Sequence, residues 1–127
     1  MKLQPFSQAD DIRFSVNPQQ LIHRLGPPLR RERNGVGLDE LDYGHRVVRF
    51  QDSGRFEEVT RRTPVLHLGE LAVPFGALQG FITAQDAAAF ERAGFIVSPR
   101  YGIAFAPESP DWVTALAAHC IPAWRAL

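Results

Sequence analysis

Between Leu38 and Thr63 short runs that alternate polar and apolar residues, Val48-Arg49-Phe50 and Arg55-Phe56-Glu57 among them, flank the tripeptide Asp52-Ser53-Gly54, the strongest local pattern in the chain. Alternation of this kind is the signature of a half-buried strand, and two such runs around a short polar loop predict a β-hairpin. Gly54 suits the left-handed residue that closes a three-residue loop built on a type I turn. That loop sets Phe50 opposite Phe56, Arg49 opposite Glu57 and Val47 opposite Val59, pairs worth roughly 0.2 to 1 kcal/mol each relative to Ala–Ala. It also leaves Val48 facing Glu58. A four-residue loop, Asp52 to Arg55, would instead set Val48 against Val59, Arg49 against Glu58 and Arg46 against Arg61. The first register is preferred.

Elsewhere the pattern is shorter-ranged. Ile12, Phe14 and Val16 share one face of a strand over 11–16. Asn17 is a good N-cap, Pro18 suits a first helical position and Gly26 a stop, so 17–26 reads as a short helix burying Leu21, Ile22 and Leu25. Residues 29–37 form a polar connector carrying Arg30, Arg31 and Arg33. Val65–Leu68 and Leu71–Val73 are short strands that extend the hairpin into an antiparallel sheet. The run 73–82, interrupted by Pro74, Gly76 and Gly80, reads as a buried irregular crossing. Thr83 caps a helix that ends at Gly94, with Ala87, Phe90 and Ala93 on its inner face. Phe95–Val97 and Gly102–Phe105 make a second hairpin. Ser109 and Pro110 open a last helix, with Trp112, Val113, Leu116 and Cys120 as its apolar stripe and Pro122 as its end. The expected fold is α+β, one domain over 1–127: an antiparallel sheet of two hairpins and short strands, packed with about three short helices.

Composition narrows the class. Hydrophobic residues at 45% and charged residues at 22%, with nine Phe and two Trp, describe a chain able to build a core. Fourteen basic residues balance fourteen acidic ones, which removes the basic field expected of a nucleic-acid binder. All the basic residues except Lys2 are arginine. No window approaches the ~20 apolar residues that cross a bilayer, so no membrane partner is expected. Cys120 has no disulfide partner, and the start of the chain lacks an apolar run of signal-peptide length, so a cytoplasmic protein is expected.

Candidate chemistry is sparse. His23, His45, His67 and His119 lack metal-ligand spacing, and His119 and Cys120 would point roughly 100° apart on a helix, so no metal and no cofactor is expected. Cys120 on an apolar stripe behaves as a small hydrophobe rather than a nucleophile. Asp39, Glu40, Asp42, Glu57 and Glu58 offer carboxylates, but no spacing singles out an acid–base pair. Glycine-rich phosphate cradles and nucleophile elbows are absent. No catalytic residue is therefore assigned. Phe50, Phe56, Tyr101, Phe105 and Trp112 read as packing groups, since a base-stacking platform also needs a positive groove.

The order helix, Leu25-Gly26-Pro27, Tyr43 in a strand, Phe50, a turn with Gly54 and a valine-bearing strand resembles the small module shared by outer-membrane assembly lipoproteins and β-lactamase inhibitory protein. The same module occurs in uncharacterised bacterial proteins, some suspected to be immunity proteins against toxins. The resemblance covers residues 17–60 and implies binding of another protein rather than catalysis. The lipoprotein signal is missing, so the periplasmic role does not carry over. Arg46, Arg61 and Arg62 have no assigned intramolecular partner, and with Arg49 they are the candidate partner-binding residues. The expectation is a non-enzymatic bacterial protein-binding module, toxin immunity being its sharpest form. The alternatives are a small-ligand domain or enzyme with a site near 74–82, and a structural homodimer.

Overall fold

A computed structural model describes all 127 residues. The chain opens with three two-residue strands, β1 (Leu3–Gln4), β2 (Gln8–Ala9) and β3 (Ile12–Arg13), which form a small sheet of their own. Helix α1 (Pro18–Leu25) follows, and then the meander β4 (Arg30–Arg33), β5 (Asp39–Asp42), β6 (Arg46–Phe50) and β7 (Phe56–Arg62). The chain next leaves for the hairpin β8 (Val65–Leu68) and β9 (Leu71–Pro74) and helix α2 (Phe75–Gln85). It returns as a second meander, β10 (Phe90–Arg92), β11 (Phe95–Ser98), β12 (Ile103–Phe105) and β13 (Trp112–Leu116), and ends in helix α3 (Cys120–Arg125). Strand β13 pairs with β7, so the two meanders join into one eight-stranded antiparallel sheet ordered β10-β11-β12-β13-β7-β6-β5-β4. The α+β class is as the sequence predicts. No helix is long and apolar enough to cross a membrane.

The central hairpin forms where the alternation places it, and both registers are partly realised. Gly54 is left-handed at φ +90°, and Gly54 N donates to Gln51 O across the three-residue loop. Phe50 pairs with Phe56 as the short loop requires, but a β-bulge then intervenes. Beyond it Arg49 faces Glu58, Val48 faces Val59 and Arg46 faces Arg61. The preferred register is thus overturned past Phe50. Glu57 is the extra residue, and skipping it keeps Phe50, Phe56, Val48 and Val59 all on the buried face.

Helix α1 carries a complete capping box: Asn17 Oδ1 accepts from Gln20 N at 2.8 Å and Gln20 Oε1 accepts from Asn17 N at 3.0 Å. Both partners are visible in the sequence. The connector 29–37 contains the four-residue strand β4, which pairs with β5, and Asn34 Oδ1 accepts from Val36 N and Leu38 N in the turn between them. The strands β8 and β9 exist but form a separate two-stranded sheet, and the neighbour of β7 is β13.

The second half departs further from expectation. Residues 75–85 are helical despite Gly76 and Gly80, since Leu78 and Ile82 are wholly buried and both glycines face open space. The tertiary burial offsets a helix-propensity cost of about 1 kcal/mol per glycine. The helix expected from Thr83 to Gly94 does not form. Thr83 Oγ1 donates back to Gln79 O within α2, and Ala93 (φ +52°) with Gly94 (φ +82°) makes the two-residue turn between β10 and β11. The last predicted helix is also wrong at its start: Trp112–Leu116 is a central strand paired on both sides, by β12 and β7. The strand splits the expected apolar stripe between its two faces, Trp112 and Leu116 on one and Val113 on the other. Pro122 lies inside α3 rather than ending a helix, and Trp124 docks on Phe95 with ring centroids 5.3 Å apart.

Asp86 explains why α2 stops where it does. Its buried carboxylate accepts from Ala88 N (3.0 Å), Ser98 Oγ (2.7 Å) and Arg100 N (3.0 Å), tying the helix end to the β11–β12 turn. Burial opposes ionisation, but the bonds from Ser98, Arg100 and Ala88 outweigh it and hold the carboxyl below its ordinary value of 3.8. The resulting stability is fully present above that value and is lost as pH falls through the depressed one. Asp86→Ala is expected to cost about 2–4 kcal/mol at pH 7, measured as a lower urea midpoint at unchanged slope. The gap to wild type should close in acid.

Candidate functional site

The two faces of the eight-stranded sheet differ. One face buries Leu41, Val48, Val59, Ala115 and Ile103 beneath the N-terminal strands and α2. The opposite face is covered over β10–β13, where Val97, Ala104 and Leu116 are wholly buried, Trp124 meets Phe95 and the Arg125 guanidinium lies 4.8 Å from the centroid of the Phe90 ring. Over β4–β7 it is open. Cross-strand pairing there aligns Glu32, Glu40, Arg49 and Glu58 in one row across four strands, so one arginine stands among three carboxylates. The next row contains Arg30, Asp42, Val47, Thr60 and Thr114.

Where the open face meets α3 there is a cleft of about 360 Å³. Arg49, Glu58, Thr60 and Thr114 are on its floor, and Phe95, Trp112 and Trp124 form aromatic walls. Arg49 is fixed on the floor: it donates from Nε to Glu40 and from Nη1 to Thr60 Oγ1, both at 2.8 Å, and the Thr60 and Thr114 hydroxyls are 2.8 Å apart. Glu58 is not held in the same way. Its only ion-pair partner is Arg49 at 3.8 Å, beyond hydrogen-bond reach. Burial pushes its carboxyl above the ordinary value; Arg49 works against the shift, while Glu57 and Glu40 add to it. Trp112 is 39% exposed, so a large apolar surface borders an under-satisfied acid.

The arginines singled out from the sequence are not brought together as a free recognition edge. Arg46 is only 9% exposed, on the core face, and donates to Asp11 at 2.6 Å. Arg61 donates to Asp10, and Arg62 reaches Asp111 at 3.4 Å. The premise that these three lack intramolecular partners is overturned: Asp10 and Asp11 come from the β2–β3 turn, where only Ile12–Arg13 of the strand expected over 11–16 forms, and Asp111 comes from just before β13, all distant from the arginines in sequence. Of the four, Arg49 alone lies in the cleft. The basic connector is likewise engaged, Arg30 with Asp42, Arg31 with Asp39 and Arg33 with Asp52.

A groove of about 500 Å³ does lie beside α2, lined by Phe75, Gly76, Gln79, Phe105, Pro107, Pro110 and Asp111. Asp111, its one ionisable group, already meets Arg62. It offers shape without an acid–base pair or a nucleophile.

Glu57, His119 and Cys120 form a cluster that no sequence spacing indicates. The bulge turns Glu57 toward the start of α3, where His119 Nε2 lies 2.5 Å from Glu57 Oε1 and Gln51 Nε2 donates to the same oxygen at 3.0 Å. Cys120 Sγ donates to the Glu57 carbonyl at 3.2 Å. Burial, and then the charges of Glu57 and Glu58, push the Cys120 thiol far above its ordinary value, so it is no nucleophile as it stands. The expectation that His119 and Cys120 do not easily form one site by themselves left out Glu57, which reaches both from β7. Compared with family models, curated proteins and solved structures, the chain matches none.

A raised carboxyl value means that Glu58 carries a stability penalty above its folded-state value, and that the penalty disappears as pH falls toward the ordinary 4.5. Glu58→Gln is expected to stabilise the fold at pH 7 by about 0.5–2 kcal/mol, the scale on which relieving a site-specific cost acts. Thermal unfolding of the two proteins should converge near pH 4.

Proposed function

We propose that the protein is a non-enzymatic protein-binding module that uses the open face of its central sheet, with a basic side chain of the partner entering the cleft at Glu58. The observation that carries this reading is Glu58 itself: a carboxylate kept at an energetic cost, without a hydrogen-bonding partner, between Trp112 and Trp124. An arginine or lysine there would gain a charge-assisted hydrogen bond and an aromatic face. The surrounding row of Glu32, Glu40 and Arg49 supplies a polar rim, and Trp112 is the residue type that dominates interface energetics. The lack of a positioned acid–base pair in either groove supports binding over catalysis. Immunity against a cognate toxin is the sharpest form of this proposal.

Assembly by pairing of sheet edges has less support. One edge, β4, is Arg-Arg-Glu-Arg and exposed throughout, and the other, β10, is three residues long with arginines over Phe90. The test is affinity capture from the native cell by immobilised wild type, Trp112→Ala and Glu58→Lys, with the captured protein then titrated against each. Trp112→Ala is expected to weaken binding about 30-fold, the effect of losing about 2 kcal/mol at an interface anchor, and Glu58→Lys at least as much. A partner held equally by all three proteins, or none held by wild type, would count against the reading.

A further inference from the structure

We propose that Glu57, His119 and Cys120 form a binding site for one zinc-class divalent ion per chain, with a fourth coordination position left for water or a donor from outside. The carboxylate oxygen, the imidazole nitrogen and the sulfur all lie within 4.8 Å of one another. Tetrahedral zinc, with bonds of about 2.0–2.3 Å, holds its donors roughly 3.3–3.8 Å apart, so small side-chain rotations close this triangle on an ion. The donor types are those zinc prefers, one thiolate, one imidazole and one carboxylate, and together they neutralise its charge.

Three features place these donors. The β-bulge aims Glu57 at α3, a use to which bulges are put beside functional sites. The Glu57 carbonyl accepts from Ala117 N at 2.9 Å and from the Cys120 thiol, which locks the start of α3 onto the same residue. Gln51 Nε2, at 3.0 Å from Glu57 Oε1, is the outer partner that orients the carboxylate. A small cleft of about 130 Å³, bordered by Glu57, Cys120 and Trp124, gives access from solvent. On binding, the thiol proton passes to buffer and sulfur takes the ion as thiolate, while His119 coordinates through neutral Nε2. The site stands on this donor geometry alone and does not rest on the binding role proposed for the sheet face.

Metal-stripped protein titrated with zinc chloride by calorimetry should bind one equivalent, release protons in a buffer-dependent way and unfold at higher temperature. Cobalt(II) should produce a thiolate-to-metal charge-transfer band together with the intense visible bands of a four-coordinate site. Cys120→Ser should abolish the charge-transfer band, and His119→Ala and Glu57→Gln should each weaken zinc binding at least ~10-fold. Cys120 is buried, so His119→Ala carries the test if the serine variant loses its far-ultraviolet circular dichroism. No saturable one-to-one binding, a cobalt spectrum without the thiolate band, or zinc affinity unchanged in a folded His119→Ala would each overturn the proposal.

Discussion

The single extra residue at Glu57 is the constraint on which the rest of the molecule depends. Side chains alternate between faces of a strand, so a slip of one position would exchange the buried set of β7 for the solvent set. The bulge absorbs one residue between Phe56 and Glu58, and Phe56 and Val59 both remain in the core although three positions separate them. It also sends the two adjacent glutamates to different surroundings, Glu58 into the row on the open face and Glu57 toward the C-terminal helix. On the β13 side of β7 the Glu57 backbone carbonyl accepts from Ala117 N and the Cys120 thiol. Strand register, helix docking and both polar clusters therefore share one origin.

A second constraint is the way the N-terminal sheet is held. Asp10, in a left-handed conformation at φ +53°, and Asp11 meet Arg61 and Arg46, which are themselves neighbours across β6 and β7. Two arginines side by side would repel; two aspartates from one turn neutralise both. Arg46 Nε has no partner even so, which shows how incompletely burial is compensated. Such a pair adds little net stability after desolvation, and its effect is to fix where the small sheet sits.

Legibility in the sequence followed the range of the interaction. The central hairpin, α1 with its cap, and the β11–β12 hairpin rest on contacts within a few residues, and turn and cap residues mark them. The helix expected at 83–94 failed because alanine-rich propensity is worth only tenths of a kcal/mol per residue, while the bonds of Asp86 to Ser98 and Arg100 are tertiary and Ala93-Gly94 serves as a hairpin turn instead of a helix end. Trp112–Leu116 failed for the same reason, its neighbours being β12 and β7 on either side. For the candidate sites, Glu57, Glu58 and Cys120 were visible as residues of interest, but neither cluster has a sequence spacing. His119 and Glu57 are 62 positions apart, and only the bulge, which no local pattern announces, brings them together.

The seam between β7 and β13 carries a kinetic consequence. Each meander can assemble from neighbours in sequence, but the Thr60–Thr114 pair at their junction spans 54 positions. Chain entropy must be spent to close that separation before any ladder bond across it forms, so joining the half-sheets is expected to be the late event in folding. Until then β7 and β13 are unpaired edges, and each offers to another chain the pairing that the other will later occupy. The same seam that creates the wide open face thus makes the unjoined halves the state most prone to exchange strands between molecules.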